Sequence, residues 1–287
     1  MSARRVACLT MALAVAGCAP PFAAPNFVDR PRIIAVRTSP LVAMAGQTLE
    51  AQVAFGGATS LTVRRWRVCV PARIDPFPEQ RCADGQGAVA FTQEGGDTLR
   101  WQIPTDQAEL TMLLFAAFVD ANGNVPNITT ALNQLRANGA DLFVYVEAQA
   151  PDGTIVRGIK RTLFAIAPLR YTPLTTLRFR FAGQRFEARG GQCVPLEGGE
   201  PFAIAVGSRS VVAIEPPAIE TTLDGAHYAD GGQFPEIFEV AGLTEWVAPS
   251  APSVVTRHWV VGQRNVQRAS GAAVSDVLFC SFTTRTE

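Results

Sequence analysis

The chain has 287 residues, 48% of them hydrophobic, and its 25 Lys and Arg balance its 25 Asp and Glu. That balance excludes the basic excess of a nucleic-acid-binding protein, so no nucleic-acid partner is expected. The length is more than one small sandwich uses, and the hydrophobic share is enough to fill the cores of two domains.

Residues 1–17, "MSARRVACLTMALAVAG", set a positive start at Arg4 and Arg5 before an apolar run. The run is too short for a membrane-spanning helix, which needs about 20 apolar residues, and reads as a secretory signal peptide. Val15-Ala16-Gly17-Cys18 resembles the lipobox of bacterial lipoproteins. The resemblance implies that Cys18 is lipidated and becomes the mature N terminus. Ala19 stands where an aspartate would signal inner-membrane retention, which implies sorting to the outer membrane. A signal peptide cut elsewhere, with Cys18 a bystander, is the alternative. Loss of Arg4 and Arg5 leaves 23 basic against 25 acidic side chains, so lipid rather than charge is expected to make the membrane contact. Residues 18–30 carry the lipidated Cys18 and a proline-rich tether with no apolar period.

Cys8 falls in the signal, which leaves Cys69, Cys82, Cys193 and Cys280 in an exported chain. An even count outside the reducing cytosol reads as two disulfides, with three connectivities open. Proximity favours Cys69–Cys82, and Cys193 then pairs with Cys280. No C-x-x-C spacing with a nearby His supports zinc, and no cofactor is expected.

A first β-sandwich is expected over 31–167. "RIIAVRTSPLVAMAGQTLEAQVAF" supplies two β-rich runs broken by Pro40 and Gly46. In "LTVRRWRVCV", alternation turns Arg64, Trp66, Val68 and Val70 to one face and Val63, Arg65, Arg67 and Cys69 to the other. Trp66 should point inward, which sets the Cys69–Cys82 bridge at a surface or edge. "DTLRWQIP" is another strand. A partly helical insertion follows over about 105–140. Asp106 and Glu109 have capping-box spacing ahead of a run at 107–118 that fits a helix or a buried strand. Asn127 caps a shorter helix with Ile128, Leu132 and Leu135 as its stripe and Gly139 at its end. "DLFVYVEAQAPDGTIVRGIKRTLFAI" is a hairpin turning at Pro151-Asp152-Gly153.

The second β-sandwich is expected over 168–287. "LRFRF" sends Leu177, Phe179 and Phe181 to one face, and "PFAIAV", "RSVVAIE", "EIFEVAG", "EWVAP", "VTRHWVVGQ" and "DVLFCSF" follow as short strands. Cys280 shares a face with Leu278 and Phe282, so its bridge should be buried. The fold class is mainly β, two tandem immunoglobulin-like sandwiches after a signal peptide and tether. Lipobox, tether and the strand pattern together resemble bacterial surface lipoproteins with immunoglobulin-like domains. The resemblance implies location and architecture and carries no active residue.

Chemistry is sparse. The chain has two histidines, and no nucleophile elbow, HExxH or Walker loop. "ETTLDGAHYADGG" reads as a polar loop in which Asp224, His227 and Asp230 could gather a divalent metal or orient a base. Turn chemistry alone produces the same letters. His258 reads as a surface or packing residue. "DANGN" at 120–124 alternates oxygen ligands without the later carboxylate of an EF-hand. The four tryptophans could stack on sugars if two were exposed together, but each lies in an apolar-alternating run that favours core packing. The expected function is a non-enzymatic, lipid-anchored envelope protein with a protein or glycan partner. Its competitors are a glycan- or cell-wall-binding module and a metal- or His-dependent hydrolase using the 220–232 loop.

Overall fold

A computed structural model describes residues 28–57, 60–70, 78–85, 88–106, 108–110, 127–169, 171–197, 202–215, 223–235, 243–266 and 274–287. Cys18 with its signal, the run from 111 to 118, the "DANGN" stretch and "EIFEVAG" lie outside these residues.

The first half contains β1 (Arg32–Ser39), β2 (Val42–Met44), β3 (Thr48–Gly56), β4 (Thr62–Val70), α1 (Pro78–Asp84), β5 (Ala88–Glu94), β6 (Thr98–Gln102), α2 (Ile128–Asn138), β7 (Ala140–Gln149) and β8 (Ile155–Ala165). One sheet has the order β1-β3-β6 and the other β2-β8-β7-β4-β5. The chain crosses between the sheets at the cis Ser39-Pro40 bond, after which β2 pairs parallel to β8. Proline cannot donate to a ladder, so pairing with β3 ends there. Leu49, Trp66, Leu99, Ile103, Leu142, Val144 and Val146 fill the space between the sheets. The Trp66 indole donates to the Gly96 carbonyl at 2.9 Å, so its polar edge is satisfied.

The face assignment within β4 needs one correction. Its register against β7 slips between Val63 and Arg65, which makes Arg64 a bulge residue. A bulge adds a residue and flips the alternation. Val63 therefore joins Trp66 in the core, while Arg64 is exposed. The insertion is helical where it is described. Asp106 accepts from the Ala108 and Glu109 backbone N–H groups at 2.9 Å each, and Asn127 caps α2 by accepting from Thr129 N–H at 2.8 Å. Gly139 ends α2 at φ 67°, and a Cβ there would lie 2.7 Å from the Phe164 carbonyl oxygen, so glycine suits the junction on two counts. Of the expected stripe, Leu135 is buried but Leu132 is exposed.

The second half is one hydrogen-bonded path. Its strands are β9 (Arg178–Phe181), β10 (Gln184–Arg189), β11 (Gln192–Pro195), β12 (Phe202–Ile204), β13 (Arg209–Glu215), β14 (Asp224–Ala229), β15 (Leu243–Val247), β16 (Val255–Val266) and β17 (Val274–Thr286). They run β14-β16-β17-β11-β10-β9-β13-β15, with β12 beside β17. The sheet curls until its ends meet, because Gln233, just past β14, exchanges backbone hydrogen bonds of 3.0 and 2.8 Å with Val247 of β15. The β9–β10 hairpin turns through Ala182 and Gly183, both at positive φ, as two-residue hairpin turns require. Leu177, Phe179, Phe181, Phe186, Trp246 and Phe282 pack inside the curl.

Both disulfides form as paired by sequence, Cys69–Cys82 and Cys193–Cys280. Cys193 and Cys280 are buried, as expected. The Cys69–Cys82 bridge is not at a surface: both cysteines are about 1% exposed. Cys69 does point away from the main core, but α1 folds over that outer face and encloses the bridge with Phe143 and Tyr145. This second cover explains why Leu142–Val146 of β7 is buried without a break.

The two sandwiches share a third apolar cluster: Leu41, Val42, Leu163 and Ala165 from the first, Val274 from the second, and Tyr171 of the connector. Polar bonds surround it. Lys160 donates to the Ser275 carbonyl, Asp276 accepts from the Leu174 N–H at 2.6 Å, and Arg32 lies 5.1 Å over the Tyr228 ring. Val28, within the stretch read as tether, is buried and donates to the Ala229 carbonyl at 2.8 Å.

Candidate functional sites: a sealed histidine pair and the cleft between the sandwiches

The structure places Asp224 and His227 on a strand and Asp230 in the bend that follows it, and this corrects the reading of 220–232 as a polar loop over its described part. Residues 224–229 are strand β14, paired residue for residue with β16. Side chains on a strand alternate, so His227 projects to the opposite side from Asp224, while Asp230 lies beyond the end of the strand. Asp224 is exposed and accepts from Asn265 at 3.3 Å, whereas Asp230 accepts from the Arg257 backbone N–H at 2.7 Å. The three do not converge, and among the described residues no group of three His, Cys, Asp or Glu could hold a metal.

His227 instead meets His258. Both imidazoles are fully buried, with His227 Nε2 2.9 Å from His258 Nδ1 and His258 Nε2 2.9 Å from Thr284 Oγ1. Aromatic rings enclose them. His258 stacks on Phe282 and meets Trp246 edge-on, each at 4.7 Å, and Phe181 and Phe234 pack on His227. One hydrogen between the two rings satisfies two nitrogens, which requires the accepting ring to be neutral. Burial keeps the donating ring neutral as well, since an imidazolium here would lose its hydration. It pushes the His227 pKa down to about 3, and burial, with the neighbouring His227 second, holds His258 well below the ordinary value. His227 Nδ1 has no partner among the described residues. A base so enclosed has no route to a substrate, so the pair acts as a polar strut in the core. The signal for His258 was present in the sequence: it shares strand parity with Val260, which is also fully buried.

An open cleft of about 500 Å³ lies between the sandwiches, walled by β1 and β8 on one side and by β14, β16 and β17 on the other. Ile34, Val36, Ile159 and Val261 supply apolar wall, Asp224 and Tyr228 stand along β14, and Lys160 reaches across to Ser275. Lys160 is the chain's single lysine. Burial lowers its pKa to about 8, with Asp276 opposing the shift. All four tryptophans are buried, Trp66 and Trp246 completely, so none offers a face for sugar stacking.

No protein-family model and no curated protein sequence matches the chain. Among solved structures it is similar to murine CEACAM1b, at 8% identity and a TM-score of 0.24 over 90% of this chain and 100% of that one. It is also similar to three N-terminal domains of the bacteriophage RB49 Highly Immunogenic Outer Capsid protein, at 11% identity and a TM-score of 0.21 over 89% of this chain and 58% of that one. A third likeness is to the Bacteroides ovatus SGBP-B protein, solved with a mixed-linkage heptasaccharide, at 9% identity and a TM-score of 0.19 over 90% of this chain and 48% of that one.

Proposed function

We propose that the protein is a lipid-anchored lipoprotein of the bacterial cell envelope that works by binding rather than catalysis. Residues 1–17 are its signal peptide, Cys18 bears the lipid, residues up to 30 are its tether, and sandwiches over 31–167 and 168–287 are what it presents. The observation that carries the non-enzymatic part is the disposal of reactive groups. Both imidazoles are shut inside a core and Cys69, Cys82, Cys193 and Cys280 are spent in disulfides, leaving strand edges, a cleft and charged sheet faces at the surface. Two disulfides also fit folding in an oxidising, extracytoplasmic compartment. No helix among the described residues is long and apolar enough to cross a membrane. With the tryptophans buried, the protein-partner reading is favoured over an aromatic glycan platform.

The test is mass spectrometry of the protein from a membrane fraction, wild type against Cys18→Ala. An N-terminal peptide carrying acyl mass that the variant lacks supports the anchor. An unmodified Cys18 in a soluble protein overturns it.

A further inference from the structure

The outward face of β10, β9, β13 and β15 concentrates arginine in a chain whose total charge is zero. Register aligns Arg178 and Arg180 of β9 with Glu187 and Arg185 of β10, and β13 and β15 continue the face with Arg209, Val211, Glu215, Leu243 and Glu245. Five arginines share this surface with three glutamates, and Glu197 stands at its margin beside Arg185.

The charges are layered. Glu187 accepts from Arg178 and Arg189 at 2.8 Å each, and Glu215 accepts from Arg180 and Arg185 at 2.8 Å. The carboxylates lie low, with Glu187 15% and Glu215 23% exposed, while Arg180 and Arg189 stand above them at 62% and 60%. Arg209, paired with Glu245, is 71% exposed. Each carboxylate thus holds two guanidiniums upright by their inner edges. The outer N–H edges of Arg178, Arg180 and Arg189 face solvent, with the fork geometry that phosphate takes.

Beside them Val211 and Leu243 are among the exposed large hydrophobics, at 46% and 44%. Among the described residues no aromatic side chain lies on this outward face, so neutral sugars have nothing there to stack on. An open sheet face of upright guanidiniums with aliphatic tips between them complements a plane of phosphates over hydrocarbon better than it does a single polymer strand, which seats in a groove. We infer that this face is where the protein lies against an anionic lipid surface. The inference rests on the lipoprotein reading, because a tethered domain needs only weak further contacts to settle in one orientation.

The experiment uses the mature chain from residue 18 carrying Cys18→Ala, so that neither signal peptide nor lipid contributes, with phosphatidylcholine vesicles with and without phosphatidylglycerol. Cosedimentation should require phosphatidylglycerol and weaken as salt rises. Arg180→Gln, Arg189→Gln and Arg209→Gln combined should lower it about tenfold or more. Arg100→Gln, an equally exposed arginine on β6 of the first sandwich, should leave it unchanged, and thermal unfolding shows whether the triple variant keeps its fold. Binding indifferent to phosphatidylglycerol, binding lost equally in Arg100→Gln, or binding to soluble polygalacturonate without binding to vesicles overturns the inference. Acyl mass on Cys18 reads the anchor separately, so the two proposals fail by different measurements.

Discussion

His227 and His258 are a polar pair that the core holds neutral, and that choice has a pH consequence. A folded imidazole with a depressed pKa cannot take the proton that its unfolded counterpart takes below about 6.5. The unfolded state therefore binds more protons, and stability falls as pH drops from about 6.5 toward the folded value near 3 for His227. Each imidazole contributes a slope of up to about 1.4 kcal/mol per pH unit. Urea unfolding between pH 6.5 and 5, above the carboxylate range, should show this loss. In His227→Phe one titration is gone, so the slope should fall by about half, even though the variant starts less stable. A slope unchanged in that variant would mean that His227 protonates without unfolding. At this scale residue identity was legible and environment was not: Asp and Gly around His227 have the composition of a turn, and only pairing with β16 turns its ring inward.

At the scale of elements, the two disulfides should differ in worth. Cys69–Cys82 spans a sequence separation of 13 and Cys193–Cys280 one of 87. Loop-closure entropy assigns about 3 kcal/mol to the first and about 4.6 to the second. Denaturant midpoints of the Cys69→Ala/Cys82→Ala and Cys193→Ala/Cys280→Ala variants should fall in that order, the second pair losing more. Asn127→Ala should cost α2 about 1 kcal/mol by removing its cap, read as a lower midpoint with unchanged m-value. Strand alternation in "LRFRF" and the hairpin turn at Pro151-Asp152-Gly153 were readable because they obey local periodicity. The Arg64 bulge and the cover of α1 over Cys69 were not, because a bulge needs a partner strand to define it and a cover is made by distant chain.

At the scale of the whole molecule, the apolar cluster of Leu41, Val42, Leu163 and Val274 should make the two sandwiches unfold together. Calorimetry of the wild type should give one transition, and Val274→Asp, which sets a carboxylate in that cluster, should split it into two. Lys160 reports the same contact chemically. As the single lysine it gives one side-chain site for labelling, and the residue is about 9% exposed with its hydrogen bond crossing the interface. Amine-reactive esters should modify it slowly in the native wild type and rapidly in Val274→Asp, with peptide mapping as the readout. Equal rates would show that the interface opens freely.

The sequence by itself determined what depends on neighbours along the chain: the strands with strict alternation, the capped helix, the sandwich class, and a cysteine count that pairs off in two bridges. The lipobox-like residues at 15–18 stand at the same level and support the proposed anchor. The tertiary structure alone decided what depends on chain brought from elsewhere. It sealed two histidines 31 residues apart into one hydrogen bond, set the lone lysine across an interface, and gathered arginines from three strands above their own carboxylates. Local periodicity says which face a side chain takes, but only the folded sheet says what covers that face.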